Sequence, residues 1–248
     1  MALLETKNLR KSFGALAAVD GVSLAVEAGS LHSIIGPNGA GKTTLFNLLT
    51  GAFAPTSGKI IFDRKDITGT KAHEVAQLGL ARSFQRTTVF PAFSLLHNVW
   101  VAGFATSKRS ALAWRNADDY PEVAERSRRA LADVGLLQKE KQLAREISHG
   151  EQRQLELAIA LAAAPRVLLL DEPAAGLSPE ETKRLVALVR ALKGRYTIVL
   201  IEHKMDIIMS VSDRVSVMHF GGLIAEGTPA EIQRNRDVRR AYLGGVAA

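Results

Sequence analysis

The sequence predicts an α/β fold: a doubly wound parallel core, preceded by antiparallel strands and interrupted by a helical insertion. Three observations predict it. The short apolar runs Leu31–Ile35, Val167–Leu170 and Thr197–Ile201 are rich in Leu or β-branched residues, and helical periodicity follows each, as it does for buried parallel strands. Val22–Glu27 alternates apolar and polar residues and Lys59–Asp63 forms a further short run ahead of a polar turn, so the N-terminal part adds half-buried β structure. Between Thr87 and Ala164 the strand signals vanish, and Ala, Leu and Arg recur at helical spacing.

Taken in order, the strand Leu31–Ile35 runs into G-P-N-G-A-G-K-T-T at 36–44 and then into the helix-like run Leu45–Leu49, closed by Gly51. This is the pattern of a phosphate-binding loop. Gly36, Gly39 and Gly41 let the backbone curl so that several N–H groups and the helix N-terminus point at an anion. Lys42 adds a positive charge where β- and γ-phosphates would lie, and the Thr43 hydroxyl can join the shell of a Mg²⁺ ion. With Pro37, Asn38, Ala40 and Thr44 these make up the candidate nucleotide site, so the chain is expected to bind a nucleoside triphosphate.

Farther along, I-S-H-G-E-Q at 147–152 opens a long helical run through Ala164. Ser148 and Glu151 have capping-box spacing, so the segment reads as a well-capped helix, and equally as an anion site built from a Ser hydroxyl and the Gly150 N–H. The strand at 167–170 then delivers Asp171 and Glu172 at its C-terminal edge, where α/β folds place ligands. Asp171 can hold Mg²⁺, and Glu172 can orient or deprotonate an attacking water. After Val215–His219, Gly221-Gly222 reads as a hairpin turn into Leu223–Glu226, and Thr228-Pro229-Ala230-Glu231 as the capped start of a C-terminal helix.

Composition narrows the function. A chain of 248 residues exceeds a typical ~100–200-residue domain, which fits one large unit or two interlocked lobes. It has no stretch near the ~18 apolar residues of a membrane span and no signal-like start, so a cytosolic location is expected unless a partner holds it to a membrane. Zero cysteines exclude disulfides and thiolate metal sites. The net charge of +7 is spread among interspersed acids and bases with no basic block, which reads as a solvated mixed surface and not a nucleic-acid footprint.

Phosphate loop, I-S-H-G-E-Q and D-E, in that order, make the chain resemble the ATP-binding-cassette ATPases over nearly its whole length. The resemblance implies a P-loop NTPase (RecA-like) core at about 1–86 and 165–226, a helical subdomain at about 87–164 and a C-terminal tail at about 227–248. It also implies roles. Phe13 in K-S-F-G stacks on adenine, and Gln85 in S-F-Q links Mg²⁺ and the γ-phosphate to the membrane-facing lobe. Glu172 is the catalytic base, with His203 in I-E-H-K beside it at the γ-phosphate. Ser148, His149, Gly150 and Glu151 form a signature that acts on the ATP of a second cassette, identical or homologous. Two departures stand out: His149 and Glu151 replace the usual Gly and Gln, and Ser178 stands where an aspartate usually reaches across the dimer. Ser178-Pro179-Glu180-Glu181 is also a strong helix start.

A narrower resemblance rests on G-L-A-R-S-F-Q at 79–85, D-E-P-A-A-G-L-S-P-E-E-T at 171–182, I-E-H-K-M at 201–205 and R-D-V-R-R-A-Y-L-G at 236–244. These are similar to the ATP-binding subunits of branched-chain amino acid importers. That implies ATP and Mg²⁺, membrane permease subunits, indirectly a substrate-binding protein, and a peripheral place on the cytoplasmic face of the inner membrane. Urea or amide import, lipopolysaccharide export and a soluble non-transport cassette ATPase are the alternatives. A small-molecule kinase ranks last, having no use for the signature or His203.

Overall fold

The computed structural model describes residues 2–83, 89–106 and 120–243. Two sheets organise them. The first is antiparallel, in the order β2-β1-β4-β5, from β1 (Ala2–Phe13), β2 (Leu16–Glu27), β4 (Ser57–Phe62) and β5 (Lys65–Asp66). The second has the order β10-β9-β3-β8-β7-β6, from β3 (Leu31–Ile35), β6 (Leu80–Ser83), β7 (Val167–Asp171), β8 (Thr197–Ile201), β9 (Arg214–His219) and β10 (Gly222–Gly227). It is parallel from β9 to β6, and β10 pairs with β9 as an antiparallel edge hairpin.

The three central strands are buried along their full length, so their apolar runs serve both faces. Alternate residues of β7 and β8 divide between two cores. Leu168, Leu170, Ile198 and Leu200 face one. Val167, Leu169, Val199 and Ile201 face the other, which also holds Ile34 and the inner faces of the antiparallel sheet. Helix α1 (Lys42–Leu49) buries Leu45, Phe46, Leu48 and Leu49 in the second core. Between β6 and β7, α3 (Leu95–Ala105), α4 (Pro121–Asp133) and α5 (His149–Ala162) pack on one another. The short α2 (Ala72–Gln77) precedes β6. Then α6 (Pro179–Leu192) and α7 (Met205–Val211) follow β7 and β8, and α8 (Pro229–Arg234) and α9 (Arg236–Leu243) end the described chain.

The structure adds strands and shifts two expected features. β1 and β6 carry no sequence expectation of their own: β1 mixes Glu, Thr, Lys and Asn among its apolar residues, and only pairing with β2 on one edge and β4 on the other makes it a strand. The strand expected at Lys59–Asp63 runs Ser57–Phe62, because Asp63 turns to φ 48° and Arg64 to φ 66°. The hairpin turn falls on Phe220-Gly221, with φ 45° and 82°, while Gly222 already pairs with His219. Both central φ values are positive, as the type I′ turn, one of the two that match strand twist, requires.

His32 on β3 is 1 % exposed, and its Nε2 lies 2.8 Å from Ser216 Oγ, which donates in turn to Glu226 Oε2 at 2.9 Å. Burial pushes the imidazole pKa from 6.5 down to about 4, against the pull of Glu226. The folded state therefore resists a proton that the unfolded chain accepts, so the stability present above pH 6.5 is lost as pH falls toward 4. One group over that window is worth roughly 3 kcal/mol. Urea unfolding at pH 7, 6 and 5 should show this decline, and His32→Gln should flatten it; an unchanged slope in the variant would remove His32 as its source.

Candidate functional site

The phosphate loop, Glu172 and His203 meet because β3, β7 and β8 are parallel neighbours whose C-terminal ends open on one edge. A cavity of ≈ 410 Å³ lies there, lined by Asn38 to Thr44, Glu172, His203, Leu16 to Ala18, Phe220 and Gly221. The loop cannot form without glycine at two places. A Cβ on Gly36 would sit 2.2 Å from the Met218 carbonyl oxygen, and one on Gly41, whose φ is 100°, 2.2 Å from that of Ala18. The backbone thus presses against β9 and β2 while turning Gly41 into the start of α1.

Lys42 is buried, and its Nζ donates to the Gly36 oxygen at 2.8 Å and the Pro37 oxygen at 3.0 Å. Its ammonium is spanned by its own loop, pre-positioned beside the cavity that Thr43 and Thr44 also line. Burial lowers its pKa, with Glu172 and Asp171 pulling the other way. The site is therefore charged in alternation: a cationic loop facing two acids.

Glu172 holds a left-handed φ of 48°, a conformation that costs a non-glycine residue about 1–3 kcal/mol and recurs at functional sites. Its Oε1 lies 2.7 Å from His203 Nε2. The partner that makes this possible is Glu202, which no sequence argument singled out. It is 3 % exposed; its Oε1 accepts the Ala174 N–H at 3.0 Å and its Oε2 the His203 N–H at 3.0 Å, tying the loop after β8 to the loop after β7. A carboxylate held against an imidazole beside an anion-binding loop can orient a water and take its proton.

Asp171 is buried with one oxygen committed: Arg82 Nη2 donates to Oδ2 at 2.6 Å, and Arg82 Nη1 to Asn47 Oδ1 at 2.6 Å. Oδ1 is buried with no hydrogen-bond partner among the described residues. An orphaned carboxylate oxygen is what a hard cation or its bound water would satisfy, so the chemistry of Asp171 fits Mg²⁺, although Asp171 is not in the lining of the cavity that Thr43 lines. The Arg82–Asp171 pair has side-chain exposures of 11 % and 0 %. Arg82→Leu should strand the acid and destabilise the protein by about 3–5 kcal/mol in denaturant unfolding; unchanged stability would mean that the acid is neutralised by another route.

The signature residues lie apart from this cavity. Ser148 caps α5, accepting the Glu151 N–H at 3.3 Å while Glu151 Oε2 accepts the Ser148 N–H at 3.0 Å, so the capping reading is realised in full. Lys139 Nζ donates to Glu151 Oε1 at 2.5 Å. His149 and Ser148 are exposed. Ser178 caps α6 in the same reciprocal way with Glu181. Phe13 stands outside the cavity lining, 46 % exposed, its ring edge-on to Phe53 at 5.6 Å with the Lys11 ammonium 5.1 Å from its centroid. Gln85 lies outside the described residues. Arg82 and Glu202 lie inside the segments G-L-A-R-S-F-Q and I-E-H-K but received no role from them, and the cavity-lining, 84 % exposed Phe220 belongs to no quoted motif.

Residues 19–175 match the family described as ABC transporter, and residues 223–248 match the Branched-chain amino acid ATP-binding cassette transporter family. The chain is 41 % identical over 251 residues to the High-affinity branched-chain amino acid transport ATP-binding protein LivG of Salmonella typhimurium, covering 98 % of each chain. BraF of Pseudomonas aeruginosa, named for the same transport, matches with the same identity and coverage. Among solved structures, the ADP conformation of MJ1267, an ATP-binding cassette of an ABC transporter, superposes with a TM-score of 0.88 at 32 % identity over 98 % of this chain and 99 % of that one. The chain belongs to the ABC transporter family, as one of its ATP-binding and ATP-hydrolysing cassettes.

Proposed function

We propose that this cassette drives the import of branched-chain or other hydrophobic amino acids, docked as a peripheral subunit on the cytoplasmic face of membrane permeases that a substrate-binding protein supplies. The observation that carries the cargo is the pairing of 41 % identity along 98 % of the chain with the match of its ending, residues 223–248, to the branched-chain cassette family. No helix among the described residues is long and apolar enough to cross a membrane, so the passage itself would be built by other chains.

In this reading the loop 36–44 holds the phosphates, with Lys42 at the β- and γ-phosphates and Phe13 against adenine. Thr43, Asp171 and Gln85 would hold Mg²⁺, which would supply charge neutralisation at the phosphates. Glu172, steadied by His203, takes the proton of the attacking water as its oxygen adds to the γ-phosphorus and the bond to the bridging oxygen of ADP breaks; ADP and phosphate leave. Ser148, His149, Gly150 and Glu151 lie away from this cavity because they serve the nucleotide of a second cassette, a copy of this chain or a homologue. The segment 87–164 is then the helical lobe that meets the permease, between core segments 1–86 and 165–226 and ahead of the tail at 227–248.

Purification of the tagged chain from detergent-solubilised membranes, with partners identified by mass spectrometry, tests the reading. Polytopic permeases together with a binding protein specific for branched-chain amino acids are expected. Recovery with an export complex, or with ribosomal or DNA-processing proteins and no membrane partner, would overturn it.

A further inference from the structure

The N-terminus of α5 is not open. Glu181, on the first turn of α6, reaches across and accepts the Gly150 N–H on its Oε1 at 3.1 Å. Its Oε2 accepts the Ser178 N–H at 2.9 Å and the Ser178 hydroxyl at 2.8 Å. One carboxylate therefore closes the capping box of its own helix and covers the first turn of another. The approach depends on the absence of a side chain at residue 150, since a Cβ there would lie 2.6 Å from Glu181 Oε1.

Resting on the reading that Gly150 and Ser148 serve the γ-phosphate of a second cassette, we propose that Glu181 is a positioning residue that gates the signature. Its carboxylate occupies the Gly150 N–H in the separate protomer and must leave before a partner-bound γ-phosphate can take that donor. Two physical terms oppose closure. The hydrogen bond to Gly150 has to be exchanged, and a phosphate approaching the same N–H meets a like charge at contact distance. There is room for the exchange, because a cavity of ≈ 40 Å³ lined by Gln154 and Arg184 adjoins Glu181, and Arg184 offers a cation to a displaced carboxylate, while Arg153 in the same lining is already paired with Glu156. The bond also links the first turn of α5 to the first turn of α6, two helices that share a buried apolar core, so its exchange can proceed without disturbing that packing.

The gate has a sign that a merely structural staple lacks. Removing a staple weakens the closed dimer, whereas removing a competing anion strengthens it. The test uses the full-length chain carrying Glu172→Gln, with and without Glu181→Gln, and measures the ATP concentration at half-maximal dimerisation by analytical ultracentrifugation. Glu181→Gln should lower that concentration about tenfold, the scale of one charge-assisted hydrogen bond. Binding of ADP to the separate protomer, at the opposite cavity, should stay within about twofold. Glu181→Asp, which keeps the charge and the capping chemistry but is one methylene shorter, should shift the midpoint the same way and guards against a folding defect in the Gln variant. An unchanged or raised midpoint in both variants overturns the gate while leaving the cassette reading intact. A Glu172→Gln parent that stays monomeric at saturating ATP overturns the signature reading and the gate with it.

Discussion

Glu172→Gln should retain ATP and slow its hydrolysis by about 10²–10⁴-fold, the range over which a positioned general base acts. The substitution keeps the side-chain volume and an oxygen within reach of His203, which lies 2.7 Å from Oε1 in the parent. It removes the carboxylate that can take a water proton beside the phosphate loop. Binding should survive because Lys42 and the backbone N–H groups of 39–44 are untouched. With cleavage blocked and the nucleotide in place, closed dimers should accumulate. Single-turnover phosphate release and sedimentation of the ATP-bound variant read the two halves of this expectation separately; turnover at the parent rate would remove Glu172 from the chemistry.

Lys42→Ala should act a step earlier and abolish tight nucleotide binding. The ammonium is held 2.8 Å from the Gly36 oxygen and 3.0 Å from the Pro37 oxygen, so it is ordered before any ligand arrives. Exchange of those contacts for phosphate oxygens needs little rearrangement. Charge-assisted hydrogen bonds are worth about 1.5–3 kcal/mol each, so losing two should weaken ATP binding by more than about a hundredfold. Calorimetric titration measures it directly. The thermal stabilisation that ATP confers should fall in parallel, since ligand-linked stability scales with the logarithm of ligand concentration over Kd. A variant still stabilised by ATP to the parent's extent would place the phosphates elsewhere.

The central strands were legible because burial on both faces leaves a continuous apolar run that few other elements share, as at Val167–Leu170 and Thr197–Ile201. The helix starts at Ser148, Ser178 and Thr228 were legible because a reciprocal cap needs two residues at one fixed spacing. β1 was not, because its stability comes from two neighbouring strands and its own alternation is weak. Arg82 and Glu202 were not, because each acts on residues 89 and 28 positions away that only the sheet brings near.

The order of the chemistry is written locally in the chain: a glycine-rich loop between strand and helix, an acid pair at the end of a buried strand, a capped helix start between them. Local sterics and hydrogen-bonding periodicity suffice for these, since every interacting residue lies within a few positions of its partner. Which of these groups meet depends on long-range packing. The parallel register of β3, β8 and β7 brings Lys42, Glu172 and His203 to one cavity and leaves Ser148 and Gly150 outside it, the Gly150 N–H under the carboxylate of Glu181. Sheet order and helix packing arise from contacts between residues far apart in the chain, and no local pattern encodes the face on which a long-range partner will sit.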